Sequence, residues 1–468
     1  VTEKDDAGRP RRVAFFTLGC KVNQQETAAL QELFRGRGYE IVGFECPAEV
    51  YIINTCTVTH LADHKSRQMI RRAVSRRSCP AGPGGSPAPD RGGAAVIAAV
   101  GCYAQMAPEE ALSLGVDVLV GTQERGRIVD LVEQAVGREA GKEGNTVFPV
   151  SEAAGFEELP LPRPRNRTRA FLKIEDGCDQ YCSFCIVPFA RGAVRSLRPE
   201  LALRRLEELL AAGFREVVLT GVHTSAYGRD LGEGINLASL LRKLLQLPGE
   251  FRLRLSSVEP AEVPEELLDL LAAPRICRHL HLPLQSGDDG ILELMGRPYR
   301  TADYADLFQR LQERLPGVAI AADVMAGFPG ETDLCFENTC RFIASLPFRD
   351  LHVFKYSPRP GTRAAEMPGQ VAPAAKEERS GRLRRLADEQ AAAFAGRFTG
   401  KTLPVLVERR ARPSPGQPGC WEGLSDNYLR VVFPAQGGSD LQGRLIPVRV
   451  LKQLDGDLLY GQAEPASF

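Results

Sequence analysis

In the first third of the chain the apolar positions fall into short continuous runs separated by amphipathic stretches, the pattern of buried strands alternating with helices. Runs at 13–17, 51–54 and 94–100 read as strands, with helices starting near Asn23 and near Leu61. The alternation returns after residue 170, with strands at 171–174, 216–220, 251–255, 279–284, 318–323 and 351–356 and a helical stretch in each gap, including helices from about Pro199 and about Asn236. Roughly six strand–helix units in series predict an open or complete parallel barrel. A last helix runs from Pro373 to about Arg397. Beyond Gly400 the period shortens to two: Leu403, Val405 and Val407 alternate with other residues, as do Ile446, Val448 and Val450, and with 428–433 and 458–462 they predict a small antiparallel barrel. The fold class is α/β: an open parallel α/β domain over 11–140, a (βα)6-type partial barrel over 165–397 and a small antiparallel β-barrel over 398–466.

Two segments break the pattern. Residues 79–93 carry Pro80, Gly82, Pro83, Gly84, Gly85, Pro87 and Pro89 and read as a surface insertion. Residues 150–169 interleave Pro160, Pro162 and Pro164 with Arg163, Arg165, Arg167 and Arg169 and mark the start of the second domain. The stretch 64–77 holds Lys65, Arg67, Arg71, Arg72, Arg76 and Arg77 with no acidic residue. It is either a solvated helix face or a surface that contacts phosphates.

With 468 residues, 43% of them hydrophobic, the chain can build real cores. Lys plus Arg and Asp plus Glu both total 59, so no global field draws it to nucleic acid or anionic membrane, and any such contact must be local. No apolar run approaches the roughly 20 residues that span a bilayer, and residues 1–12 are charged with no apolar segment behind them that resembles a signal peptide. A cytoplasmic protein without membrane contact is expected.

Twelve cysteines in such a chain point to metal or redox chemistry more than to disulfides. Cys178, Cys182 and Cys185 stand as C-x3-C-x2-C, while Cys20, Cys56 and Cys102, 36 and 46 positions apart, each follow a predicted strand within three residues. Open α/β sheets bind ligands at that carboxyl edge, so the scattered three can converge; three unrelated core thiols is the alternative. A cubane cluster normally takes four thiolates, and three leave one iron open to an outside ligand. Zinc competes for the second trio. It wants a fourth Cys or His, which 176–201 lacks, although His223 on the next strand keeps it in play. Cys46, Cys79, Cys277, Cys335, Cys340 and Cys420 lack cluster spacing and read as buried small hydrophobes.

The C-x3-C-x2-C motif with Phe184 before its last cysteine, in the loop after the first strand of a βα-repeat domain, resembles the radical S-adenosylmethionine (SAM) superfamily. The resemblance implies that the open iron chelates the amino and carboxylate groups of SAM, so that an electron from the cluster cleaves the sulfonium bond to a 5′-deoxyadenosyl radical. It implies SAM contacts from Phe184, from Gly221 in a partial match to a Gly-Gly-Glu motif, from Ser257 and Glu259 in 256–260, and from Gln285 in 285–287; 327–332 is a further match.

The three-part arrangement resembles the methylthiotransferase family, whose last module is an RNA-binding TRAM domain. Segments 17–24, 54–59, 101–105, 177–191 and 352–362 are closest to the subgroup that acts on threonylcarbamoyladenosine in tRNA. On that likeness Cys20, Cys56 and Cys102 hold an auxiliary 4Fe–4S cluster that handles the inserted sulfur. One SAM donates methyl, a second supplies the radical that activates adenine C2 at position 37, and tRNA is the partner. An electron donor such as flavodoxin or ferredoxin is implied; the sulfur donor is not revealed, and no general acid or base is named. Candidate RNA contacts on the last module are Lys401, Arg409, Arg410, Arg412, Arg430, Arg444 and Lys452, with Tyr428 and Trp421 for stacking; a purely structural module is the alternative. His279 and His281 share one face of a strand and are expected to pack. The chain departs from the family at the 79–93 insertion and at Gly296-Arg297-Pro298-Tyr299, where a more basic stretch is usual and a substrate contact is in reach. Two rivals stand: a sister enzyme acting on isopentenyladenosine or a ribosomal-protein aspartate, and a non-catalytic RNA-binding iron–sulfur sensor.

Overall fold

The computed structural model describes residues 10–77, 95–136, 144–153, 155–162, 167–411, 419–434 and 440–464. The 79–93 insertion with its Cys79, and Arg163, Arg165 and Arg412, lie outside the described residues.

The first domain is a six-stranded sheet whose described pairings are all parallel, in the order Glu40–Val42, Arg12–Thr17, Val50–Thr55, Val96–Gly101, Val118–Val120, Gly144–Thr146. Val50–Thr55 and Val96–Gly101 are buried at every position, as continuous apolar runs must be when helices cover both sheet faces. Leu30 and Phe34 of the helix Lys21–Gly36 pack on one face with Ile52 and Val100. Ile70 and Ala73 of the helix His60–Arg76 pack on the other with Ile53 and Ala99. The chain runs from Arg12–Thr17 outward to Glu40–Val42 and then returns to the other side of Arg12–Thr17, so the strand order reverses between Arg12–Thr17 and Val50–Thr55. Ligands bind in the crevice at such a reversal, and Cys20 and Cys56 leave the two strands that flank it. Glu40–Val42, Val118–Val120 and Gly144–Thr146 are three residues each, too short for a periodic signal. Most of the basic 64–77 face is paired within the domain: Arg67 with Glu110, Arg72 and Arg76 with Glu45, Arg77 with Asp117.

In the second domain, Arg169–Lys173, Glu216–Thr220 and Arg252–Leu255 form one parallel ladder and His279–His281, Ala319–Ala326 and Asp350–Lys355 another. Bridges Leu253–Ile276 and Ser257–His281 join them into a single curved wall of six strands. Helices including Pro199–Ala211, Leu237–Leu244, Glu265–Leu271, Thr301–Arg314 and Asp333–Ser345 back it with one large core. The run expected at 279–284 is ladder only to His281, because Pro283 brings no N–H to the pairing.

The helix Pro373–Gly396 leads to a closed barrel of Thr402–Arg410, Cys420–Ser425, Arg430–Pro434, Leu445–Gln453 and Leu458–Ala463. All neighbours in it are antiparallel except Arg430–Pro434 with Leu458–Ala463, which run parallel. The strand Cys420–Ser425 had no alternating signal to announce it. No described helix is long and apolar enough to cross a membrane. Of the cysteines expected as buried hydrophobes, Cys277 and Cys420 are buried, but Cys46 is exposed and Cys335 and Cys340 are half-buried on a helix flank.

Candidate metal centres at the barrel mouth

The second trio lies on a loop folded tightly on itself. Gly177 has φ +92° and faces the Ala193 carbonyl so closely that no Cβ fits. Cys178 N–H donates to Gly192 O at 2.9 Å and Cys185 N–H to Cys182 O at 3.0 Å. Ser183 anchors the middle of the loop, N–H to Met295 O at 2.9 Å and Oγ to Leu294 O at 2.8 Å. Burial, with the neighbouring thiols adding to it, pushes Cys178 and Cys185 up to about 12; burial also raises Cys182, against the opposing charge of Arg297.

Two cationic or ionisable neighbours stand on these sulfurs. Arg297 Nη1 donates to Cys182 Sγ at 3.2 Å while Nη2 pairs with Glu259. His223 Nδ1 is 3.6 Å from Cys178 Sγ, and its Nε2 is 2.9 Å from Glu262 Oε2. Burial works to raise Glu262, but the bond and charge of His223 with Arg229 outweigh it and hold the carboxyl at about 2. His223 therefore does approach the trio, as the zinc alternative required. Among the described residues, however, no three His, Cys, Asp or Glu converge into a single-ion site. Ligands of one zinc ion all lie about 2.0–2.3 Å from one point, whereas a cubane is wider and spreads its thiolates.

The first trio stands at the switch crevice. Cys20 precedes the helix Lys21–Gly36, Cys56 follows Val50–Thr55, and Cys102 opens the helix Cys102–Met106. Gly19, at φ +96°, lets the first loop lie on the second: a Cβ there would meet Cys56 Sγ at 3.0 Å. Asn23 ties both loops, its Nδ2 donating to Leu18 O at 2.8 Å and Thr55 O at 3.0 Å, and its Oδ1 accepting from Cys20 Sγ at 3.8 Å. Burial raises Cys56 and pushes Cys102 up to about 11, each also feeling the charge of Cys20. Thiols this buried ionise against a compensating positive charge, which iron supplies. Six undisulfided thiols in two mutually interacting trios are a donor set that fits two three-thiolate clusters.

Between the trios is a charged network that sequence patterning did not single out. Lys173 Nζ is 2.7 Å from both Glu26 Oε1 and Asp176 Oδ2, Arg125 is 2.5 Å from Glu26, and Arg191 reaches Glu26, Asp176 and Asn23. Burial acts to raise Glu26, but Arg125, Arg191 and Lys173 together hold it far below the usual carboxylate range. Nearby, Arg359 donates to Thr57 Oγ1 at 2.8 Å and pairs with Asp63 at 2.6 Å, and Ser357 Oγ accepts from His60 N–H at 3.1 Å. The 352–362 segment thus braces the Cys56 loop.

The other expected site residues lie at carboxyl ends of barrel strands. Phe184 packs edge-on to Phe328 at 6.4 Å. Gly221 has no room for a side chain because the Glu175 carboxylate fills it. Burial and neighbouring Asp176 push Glu175 up to about 8, with Oε1 unpartnered. Ser257 bridges to His281, and buried Glu259 carries the Arg297 ion pair. Gln285 adopts φ +64° between Asp323 O and Met325 N–H. By contrast, Glu331 is tied to Gly327 N–H and Arg379, a brace for its own loop. Gly296-Arg297-Pro298-Tyr299 sits on the second trio through Arg297. Of the expected stacking residues of the small barrel, Trp421 is corrected, being 3% exposed, while half-buried Tyr428 lies against Arg254, Arg169 and His279. The buried Trp421 ring cannot stack on a base.

Residues 172–343 match the Radical SAM superfamily and residues 12–121 match Uncharacterized protein family UPF0004. The chain is 42% identical over 443 residues to threonylcarbamoyladenosine tRNA methylthiotransferase MtaB of Bacillus subtilis (strain 168), covering 94% of each. It belongs to the radical SAM methylthiotransferase family. To the Aquifex aeolicus (strain VF5) protein of that same description the methylthiotransferase chain is 37% identical over 90% of its length and 96% of the relative's. To a tRNA-2-methylthio-N(6)-dimethylallyladenosine synthase of Moorella thermoacetica it is 35% identical over 95% and 98%. In fold, it is similar to the radical S-adenosylmethionine methyltransferase TsrM of Kitasatospora setae, with TM-score 0.55 at 16% identity over 76% of this chain and 77% of that one.

Proposed function

We propose that this methylthiotransferase acts on tRNA, placing a methylthio group on C2 of N6-threonylcarbamoyladenosine at position 37, with two 4Fe–4S clusters and SAM as cofactors. One observation carries the reading: a chain 42% identical end to end to a threonylcarbamoyladenosine tRNA methylthiotransferase presents two thiol trios across one interface. When bound, the cofactors supply one-electron chemistry, a methyl group and the inserted sulfur.

In this reading Cys178, Cys182 and Cys185 hold the SAM-binding cluster and Cys20, Cys56 and Cys102 the auxiliary one. Phe184, Gly221, Ser257, Glu259 and Gln285 form the SAM contacts, all after strands of the barrel. Arg297 places a positive charge on the thiolate of Cys182 and holds Glu259 in an orientation that faces the cluster loop. The division at 11–140, 165–397 and 398–466 is supported by distinct apolar cores on the first sheet and the six-stranded wall and by a third in the small barrel, which takes in Ala319, Phe394 and Ala395 from the preceding domain. Lys401, Arg409, Arg410, Arg430, Arg444 and Lys452 remain the tRNA contacts proposed for the small barrel. An electron donor such as flavodoxin or ferredoxin is proposed to feed the clusters.

Expression in a host lacking the modification, followed by mass spectrometry of tRNA nucleosides, tests the proposal. The expected product is 2-methylthio-N6-threonylcarbamoyladenosine. A methylthio group on the isopentenyl-type nucleoside instead would establish the sister reading, which the 35% identity to a dimethylallyladenosine synthase favours as second. Absence of 5′-deoxyadenosine from reconstituted protein with SAM and reductant would return it to a sensor.

A further inference from the structure

Arg191 lies six residues beyond Cys185, at the end of the helix Val187–Arg191, and is 2% exposed. Nη1 donates to Glu26 Oε1 at 2.9 Å and Asp176 Oδ1 at 2.8 Å; Nη2 donates to Asn23 Oδ1 at 2.8 Å and Glu26 Oε2 at 3.2 Å. On the barrel side its main chain is locked to the second trio. The next carbonyl, Gly192 O, accepts Cys178 N–H at 2.9 Å, and Asp176 Oδ1 accepts Gly177 N–H at 3.0 Å. On the other side Asn23 hands the connection to the first trio: it binds Leu18 O and Thr55 O, just ahead of Cys20 and Cys56, and accepts from Cys20 Sγ. One residue is therefore bonded, through at most one intermediary, to the loops of both trios.

We infer that Arg191 is a positioning residue that fixes the separation of the two clusters and places a permanent positive charge beside the auxiliary one. The inference rests on the proposed function only for the presence of both clusters. A guanidinium stays charged at any working pH, and its planar fork fixes direction as well as distance. In a buried setting its field is weakly screened, and its Nη2 shares the Asn23 Oδ1 acceptor with Cys20 Sγ. Reduction adds a negative charge to a cluster, so a neighbouring cation favours the reduced form, and charges and hydrogen bonds around a cluster set its potential. Arg125 provides an internal comparison. It belongs to the same network and pairs with Glu26, Glu157 and Asp176, but among the described residues it makes no bond to Asn23.

The test uses full-length, anaerobically reconstituted protein without tRNA. Auxiliary-cluster potentials are measured by EPR-monitored titration of wild type, Arg191→Met, Arg191→Lys and Arg125→Met. Arg191→Met is expected to lower the potential by at least about 59 mV, a tenfold change in the one-electron equilibrium. Arg191→Lys keeps the charge and should leave the potential near wild type, and Arg125→Met should lose thermal stability without that shift. With tRNA added, both Arg191 variants should release at least about tenfold more 5′-deoxyadenosine per methylthio nucleoside, since small misplacements of reacting groups are costly. A wild-type potential in cluster-replete Arg191→Met, or an equal shift in Arg125→Met, overturns the inference. Where Arg191→Met does not fold, an unchanged product ratio in Arg191→Lys overturns it. A protein that leaves tRNA unmodified still yields the potentials, so failure of the proposed function is read separately.

Discussion

At the carboxyl edge of the six-stranded wall, Arg125, Lys173 and Arg191 are buried against the carboxylates of Glu26 and Asp176. At the amino edge Arg252 and Arg254 share the single carboxylate of Glu216 and turn their remaining donors to main-chain carbonyls of the small barrel: Arg252 to Pro404 O at 2.7 Å and Leu424 O at 2.9 Å, Arg254 to Ser425 O at 3.1 Å and Asp426 O at 2.9 Å. Carbonyls have no charge to lose and belong to strands that stay folded, so this second interface is a latch. The first is held by charge as well as by hydrogen bonds: Lys173 and Arg191 donate to Glu26 and Asp176, while Arg125 Nη1 and Nη2 sit in ion-pair range with no hydrogen-bond partner among the described residues. Charge balance of that kind responds to whatever else is bound nearby, and both thiol trios are there. The difference teaches that burial of arginine alone marks no functional site; what matters is whether its partners are fixed backbone or a set of carboxylates shared with metal-binding loops.

The sharpest way to break the comparison is at the thiols. Cys182→Ala should abolish 5′-deoxyadenosine release and remove about half of the iron and sulfide, while Cys56→Ala should lose the other half and keep SAM cleavage; colorimetric iron and sulfide assays with product chromatography read both. Next come the two central carboxylates. Glu26→Ala leaves several cations buried without their shared partner and should cost about 3–5 kcal/mol in denaturant unfolding. Glu216→Ala, whose arginines keep four carbonyls, should cost about 2 kcal/mol. Equal losses would erase the distinction drawn between the interfaces.

Acid sharpens it further. Burial acts to raise Glu216, but Arg254 and Arg252 outweigh this and depress it from 4.5 to about 2. A depressed carboxyl contributes stability that is complete above pH 4.5 and is lost as the pH falls towards 2. Wild type should therefore lose stability in that window, and Glu216→Gln should show a flatter profile there by thermal unfolding. The smallest effect belongs to Tyr428→Ala. It removes a ring lying 4.7 Å under Arg254 and stacked at 4.6 Å on His279, so about 1–2 kcal/mol of stability should go with tRNA affinity unchanged at constant salt. A large affinity loss would return Tyr428 to the RNA face.

Much of the fold was legible because its signals are local. Three consecutive apolar residues, Val217, Val218 and Leu219, announce Glu216–Thr220 nearly by themselves, and C-x3-C-x2-C fits on one loop. The first trio was legible by a longer route, from each cysteine following a strand. The network between the trios was not, because the bonds from Lys173 and Arg191 to Glu26 and Asn23 join residues 147–168 positions apart, and nothing in the neighbourhood of Glu26 distinguishes it from a solvated helix carboxylate. Trp421 misled for a related reason. An aromatic in a strand or turn carries no mark of which side another domain will cover. Arg297 was noticed as a departure, but its place on Cys182 depends on a loop more than a hundred residues earlier in the chain.

The separation of Glu26 from its partners also sets an order of events during synthesis. Lys173 and Arg191 follow Cys20, Cys56 and Cys102 in the chain, so until they are made Arg125 alone of the three cations is there to meet the Glu26 carboxylate. The wall against which the first domain packs is made after all three of the earlier thiols, and the small barrel follows it.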